Sequence, residues 1–170
     1  MFMRRKTERK YAVWKHSYTP YLAAIIFTCA LVAIIYVLDY VNIGLERGFG
    51  YSSIIFASFG ASGFILFMMP DTYAARKDVF VRSYIIGGVI GYLGYVLIGI
   101  LGFYASAAIV LLLIALLLHV TESEHPPAVA LAFAFVLFNV GIVGIFIAIF
   151  GVFLLLSAKA AEERIIRIID

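Results

Sequence analysis

The sequence predicts an all-α membrane protein: a compact helical bundle with about four full spans plus a re-entrant or broken helix pair. Three observations predict it. The 170-residue chain is 65% hydrophobic and 14% charged, with a mean hydropathy of +1.08, whereas soluble domains run nearer one half apolar and one quarter charged. The apolar residues gather into stretches that approach the roughly 20 residues a spanning helix needs. The basic residues stand at the edges of those stretches. A chain of this length makes one domain.

The N-terminal segment, residues 1–19, is basic: "MFMRRKTERKYAVWKHSYT". It resembles the positive region of a signal peptide. The apolar stretch behind it exceeds the 7–15 residues, roughly, of a signal core, and no small-x-small cleavage site follows. Residues 21–38 are therefore expected as a retained first span. Its Cys29, the single cysteine of the chain, excludes an intrachain disulfide and is expected as a small packing residue. Residues 49–69 form a second expected span, softened in its middle by "SFGASG" (58–63). Residues 83–104 form a third, in which Gly87 and Gly91 make a GxxxG pair that lets helix backbones approach closely. Two apolar stretches follow, 106–120 and 126–138, each short for a full crossing. Residues 140–158 form the last span, with Asn139 and Gly141 interrupting the apolar run just before it. The transmembrane domain thus covers 20–158. The tail, 159–170, reads as an amphipathic helix on the membrane surface, with Ile165, Ile168 and Ile169 on one side.

Orientation follows from Lys and Arg. Six precede the first span, Arg47 alone lies in the first loop, Arg76, Lys77 and Arg82 lie in the second, and Lys159, Arg164 and Arg167 follow the last. If both termini and the second loop are cytoplasmic, 12 of the 13 are inside. That needs an even number of crossings, which four spans supply if 106–138 dips in from outside and returns. The competing reading, with 106–122 and 126–157 as two full spans, leaves three basic residues outside. Net charge +3 with no basic stripe on a soluble element gives no sign of nucleic-acid binding.

"HVTESEHPPAVALAF" (119–133) concentrates two histidines and two glutamates in seven residues of an otherwise apolar region. Pro126 and Pro127 stop a helix that runs into them and start a new one. A helix should end near Thr121 and another begin at Pro126 or Pro127. The free N–H groups of Ala128 and Val129 should then face the turn, and a helix N-terminus attracts anions. Gly60 and Gly63 permit local unwinding in the second span, with Ser58 and Ser62 supplying hydroxyls. Two helix breaks in different apolar segments point to a transport site near the membrane midplane. A histidine has a reference pKa of about 6.5, so its surroundings decide the charge of His125 at neutral pH, and it is expected to pair with an anion or relay a proton with it. Glu122 and Glu124 repel an anion, or pair with His125, His119 or a basic residue. His119 is expected as a packing or hydrogen-bonding residue, with Glu122, Glu124 and Arg82 as further candidates for relay or gating. Asp71 reads as a boundary residue.

These motifs carry a resemblance. "FASFGASGFILFMMPD" (56–71), a Gly-rich helix, and "EHPPAVA" (124–130) ahead of an apolar stretch resemble the HPP family of small integral membrane proteins over roughly residues 20–158. The resemblance implies an anion pathway, because family members have been linked to nitrite transport. By position Ser58, Phe59, Gly60, Ala61 and Ser62 match the first motif, and His125, Pro126, Pro127 and Ala128 the second. Val129 stands where the family often has glycine. "RKDVFVRSY" (76–84) lacks the proline and glycine–histidine pair of the usual loop. Glu122 and Glu124 make the second motif more acidic. These departures bear on the substrate more than on the fold.

The expectation is a channel or transporter for a small monovalent anion, nitrite by resemblance, in the cell (plasma) membrane with a cytoplasmic N-terminus. It is expected to form a homo-oligomer, to need no cofactor and to be no enzyme. Two other classes compete. Glu122-Ser-Glu-His125 spells one Glu-x-x-His, so a metalloenzyme using His119, Glu122, Glu124 and His125 is conceivable, although di-iron bundles need two such motifs. A non-transporting sensor or assembly module is the third.

Overall fold

A computed structural model describes residues 50–169 together with Ile25, Ile26 and Cys29. The N-terminal segment, most of the expected first span, and Arg47 lie outside the described residues. Cys29 is exposed, facing out of the bundle instead of packing in it, while Ile26 packs on the core. Among the described residues there is no strand. The elements are helix α1 (Gly50–Met68), a 3-10 turn (Tyr73–Ala75), α2 (Lys77–Val120), α3 (Pro127–Leu137) and α4 (Ile142–Ile169). Two of them, Lys77–Val120 and 142–165 of α4, are long and apolar enough to cross a membrane.

Helix α2 cannot run straight. Its 44 residues would extend roughly 66 Å, about twice the hydrocarbon thickness of a bilayer. At Gly102 the backbone turns to φ 76°, ψ 174°, a conformation open to a residue without Cβ. The helix folds back there into two arms, 77–101 and 103–120. Gly94 on the first arm packs against Val110 on the second. Arg82 near the start of the first donates to the carbonyl of Thr121 just past the end of the second, at 3.4 Å. The expected stretches 83–104 and 106–120 are these arms. The end of the bundle that holds Lys77 and Thr121 is its base.

Both helix ends that follow are closed by the same device. After α2, Glu122 N–H donates to His119 O and Ser123 N–H to Leu118 O, at 3.1 and 2.9 Å. After α3, Asn139 N–H donates to Val136 O and Val140 N–H to Phe135 O, at 3.4 and 3.0 Å. This pair of bonds satisfies the last carbonyls and needs a left-handed residue at the second-last position of the motif, usually glycine. Here Glu122 (φ 47°) and Asn139 (φ 52°) take it. The chain therefore turns at 121–126 and again at 138–141.

Helix α3 is apolar all round, and seven of its eleven residues are buried, which makes it the central element. It runs alongside the first arm of α2. A Cβ at Gly87 would meet Ala128 O at 2.8 Å, and one at Gly91 would meet the Phe135 ring at 2.8 Å. Helix α4 returns to the base, where Glu163 pairs with Lys77 at 2.8 Å. It runs parallel to α1: Gly151 lies on Phe59, and Lys159 Nζ lies 5.3 Å from the centre of the Phe67 ring. Phe59, Phe67, Phe80, Leu131 and Phe135 fill the core between these helices.

The described chain thus makes five passes: α1, the two arms of α2, α3 and α4. Four expectations change. The turn at 121–126 lies at the base, beside Arg82, so 106–138 enters from the opposite end and runs to the base and back instead of turning part-way. The stretch 126–157 is not one span but two passes, because Asn139 adopts the left-handed turn. Third, α1 is continuous through "SFGASG": the backbone of Gly60 and Gly63 stays helical, and the second interruption does not form. Finally, α4 continues unbroken beyond Ala158 to Ile169. It buries Lys159 and Glu162 as an ion pair in the bundle, so the start of the tail packs inward instead of lying on a membrane surface.

Candidate functional site

The site forms where α1, the first arm of α2 and the turn before α3 meet. On α1 the hydroxyls of Ser58 and Ser62 are one turn apart and face the same way. A serine in a helix commonly bonds the carbonyl four residues back, but these two reach across to other elements. Ser58 Oγ donates to Pro127 O at 2.6 Å and contacts Tyr84 Oη at 2.9 Å. Ser62 Oγ contacts Tyr84 Oη and His125 Nε2, both at 2.7 Å. His125 Nδ1 donates to Ala74 O at 2.9 Å, which ties the turn to the 3-10 segment. Phe59 stacks on Tyr84 with ring centres 5.1 Å apart, and Phe80 meets the His125 ring edge-on at 5.2 Å.

All four polar side chains, Ser58, Ser62, Tyr84 and His125, are buried. Burying such groups without partners costs a few kcal/mol each, so their mutual bonding is what makes the cluster tolerable. His125 sits in the turn, outside the helices. Burial pushes its pKa down to about 4, opposed by the hydrogen bond to the Ala74 carbonyl. No carboxylate and no Lys or Arg contacts the cluster among the described residues. Every polar group in it is a hydroxyl, an imidazole or a backbone carbonyl.

The expected site residues divide. Ser58, Ser62, His125 and Pro127 come together, with Phe59 packed beside them and Ala128 buried under Gly87. Gly60 is half-buried, and Ala61 and Pro126 face out of the bundle. The backbone N–H groups expected to face the turn are occupied. Ala128 N–H donates to His125 O and Val129 N–H to Pro126 O, both at 3.0 Å, because the proline start is wound tightly enough to use the turn's own carbonyls. The N–H groups after Gly60 are equally spent, within the unbroken α1. The cluster lies within the first turns of α2, level with Phe80 and Tyr84. That is nearer the base than the midplane, since the second arm returns fully before the chain turns.

The other candidates lie outside the cluster. Arg82 holds the Thr121 carbonyl and pairs with Asp78 at 3.1 Å. His119 is exposed and pairs with Glu124 at 2.8 Å. An open hollow of about 550 Å³ at the base is lined by Tyr73, His119, Val120, Glu122 and Glu124, and Tyr73 Oη donates to the Glu122 carbonyl. His119 and Glu124 face this hollow while His125 turns inward, so the four residues of the metalloenzyme alternative do not converge. Among the described residues no group of three or more His, Cys, Asp or Glu is placed to hold a metal ion.

Reasoning from the sequence missed Tyr84, which bonds both serines, as well as Phe80 and the Ala74 carbonyl. Tyr84 carried no signal, because a tyrosine near a membrane helix end is ordinary interface chemistry. The one hint was its place a turn before the close-packing Gly87.

Comparison with known proteins adds one match. The family model described as "HPP, transmembrane region" matches residues 14–166. No curated protein and no solved structure matches the chain. The chain belongs to the HPP transmembrane family and is an integral membrane protein.

Proposed function

We propose that this HPP-family protein is a transporter for a small monovalent anion, nitrite first among the candidates, and that the anion is handled at the Ser58–Ser62–Tyr84–His125 cluster. The observation that carries this is the composition of the cluster. It is buried, it joins three parts of the bundle, and its side chains are three hydroxyls and an imidazole with no carboxylate. All four can turn a hydrogen toward an anion, and none brings a fixed negative charge. Buried ionisable or polar groups in membrane bundles mark substrate pathways more often than folding needs. The donors are engaged with one another in the described state, which suits a carrier that opens rather than a standing pore. The left-handed Glu122 and the short α3 give the turn places to move.

In this reading the protein is not an enzyme. The described basic residues Arg76, Lys77, Arg82, Lys159 and Arg164 lie toward the base, so we take the base as cytoplasmic. An N-terminus on the same side follows the same bias, and we place the protein in the plasma membrane. The outward faces of α2 and α4, with Ile85, Val89, Ile100, Phe146 and Phe153 exposed, suit lipid or further copies of the chain in a homo-oligomer.

The test is nitrite uptake into proteoliposomes, comparing the natural chain with His125→Ala and Ser62→Ala, with folding checked by gel filtration. Saturable flux that falls tenfold or more in both variants is expected. Flux equal in all three would remove the cluster from the pathway. No flux above empty vesicles would remove nitrite.

A further inference from the structure

The cluster's hydrogens can be counted, and the count does not close for a neutral histidine. Five contacts need five hydrogens: Ser58 to Pro127 O, Ser58 to Tyr84, Tyr84 to Ser62, Ser62 to His125 Nε2, and His125 Nδ1 to Ala74 O. Each carbonyl can only accept, so Ser58 spends its hydrogen on Pro127 O and Nδ1 spends its own on Ala74 O. Three contacts remain, and only Tyr84 and Ser62 have hydrogens left. One contact then sets lone pair against lone pair. The other neutral tautomer is short by one as well. A proton on Nε2 closes the count: Nε2–H donates to Ser62, Ser62 to Tyr84, Tyr84 to Ser58 and Ser58 to Pro127 O, all in one direction.

Burial opposes that proton, since a charged imidazole is costly among Phe59, Phe80 and Tyr84. Among the described residues, those that meet the imidazole bring no fixed charge. From α1 the imidazole meets Ser62, from α2 Phe80 and Tyr84, and from the 3-10 segment the Ala74 carbonyl. The charged groups around the base are engaged elsewhere: Glu124 with His119, Asp78 with Arg76 and Arg82, and Lys159 with Glu162. What the cationic state lacks is one negative charge.

We propose that anion and proton bind this cluster together: a monovalent anion supplies the missing charge, and His125 takes one proton on Nε2 as Ser62 and Tyr84 reverse their hydrogen bonds. The proton comes from water. One N–H bond forms, no heavy-atom bond changes, and release runs the same steps backward. Linkage makes the effect reciprocal, so acid tightens anion binding by the factor by which the anion tightens proton binding. Transport of nitrite would then be electroneutral, one proton per anion. This rests on the anion reading above.

The experiment uses the full chain with 15N-labelled histidine in liposomes, titrated from neutral to acid pH in sodium gluconate or sodium nitrite, beside a flux measurement. His125→Gln assigns the signal. The expected result is an Nε2 without a proton at neutral pH in gluconate, and a midpoint raised by about one pH unit or more in nitrite. Tyr84→Phe is the discriminating variant. It removes two contacts and one hydrogen, leaving three contacts and three hydrogens with neutral His125, so the midpoint should move to lower pH in both salts. A merely structural tyrosine would not shift it in that direction. An unmoved midpoint in nitrite, with saturable nitrite flux, would overturn the coupling and leave the transport reading standing. A midpoint unmoved or raised by Tyr84→Phe would overturn the proton site itself. Absence of nitrite flux would sink the transport reading for nitrite and the coupling with it, while the Tyr84→Phe shift would still decide whether the cluster binds a proton as counted.

Discussion

At the scale of the residue, two positions in the turn before α3 carry measurable consequences. His125 is held neutral by burial, with its pKa pushed from an ordinary 6.5 to about 4. The folded protein therefore binds this proton less readily than the unfolded chain does. The stability this gives is fully present above about pH 6.5 and is lost as pH falls toward about 4. Thermal melting in detergent without nitrite should drop across that window, and His125→Gln should flatten the drop; an unchanged slope would refute the assignment to His125. Glu122 holds a left-handed backbone (φ 47°) where glycine is the usual occupant. Its side chain is exposed at the hollow, and Tyr73 bonds only its carbonyl. Glu122→Gly should therefore raise stability by about 1 kcal/mol, because a non-glycine residue pays roughly that for this conformation. A loss of stability in chemical denaturation would show that the carboxylate matters to the fold.

Among the helices, glycines that look alike in sequence behave oppositely. A Cβ at Gly87 meets the backbone carbonyl of Ala128 at 2.8 Å, and neither helix can yield locally. Gly87→Ala should force α2 and α3 apart and cost about 1–3 kcal/mol. Gly60 has nothing within 4 Å of the same position. Gly60→Ala should be neutral or stabilising, since alanine favours a continuous helix over glycine by about 1 kcal/mol. The pair of melting temperatures checks both; a destabilised Gly60→Ala would mean that α1 does unwind at this motif. The GxxxG spacing in α2 was legible as a close-packing signal. Gly60 of "SFGASG" is the same residue type without the same role, because only the neighbours decide whether a missing Cβ is used.

For the whole molecule, the five passes of the described chain place the His-Pro-Pro turn, Lys77 and Glu163 at one end and the Gly102 hairpin at the other. In a Cys29→Ser background, single cysteines at Lys77, Glu124 and Glu163 should react with an impermeant maleimide from the same side of sealed vesicles. A cysteine at Tyr104, which is 87% exposed beside the hairpin, should react from the opposite side. Labelling of Glu124 from the Tyr104 side would restore the re-entrant arrangement and refute the placement of the His-Pro-Pro turn at the base.

Membrane residence, helical class and most helix positions were determined by the sequence alone, since these depend on sums over many residues: apolar content, stretch length and the two prolines that must end one helix and begin the next. The motif residues Ser58, Ser62 and His125 were also legible as a set, through their resemblance to one family. Tertiary structure alone decided the rest. Whether Gly102 bends a helix back, whether Asn139 takes a left-handed turn, and which hydroxyls meet His125 are each settled by one or a few local contacts. Such contacts leave no period in the sequence. Tyr84 is the clearest case: its phenol links the two serines only because α1 and α2 both pack on α3, α2 closely at Gly87 and Gly91, and not because of anything adjacent to Tyr84 in the chain.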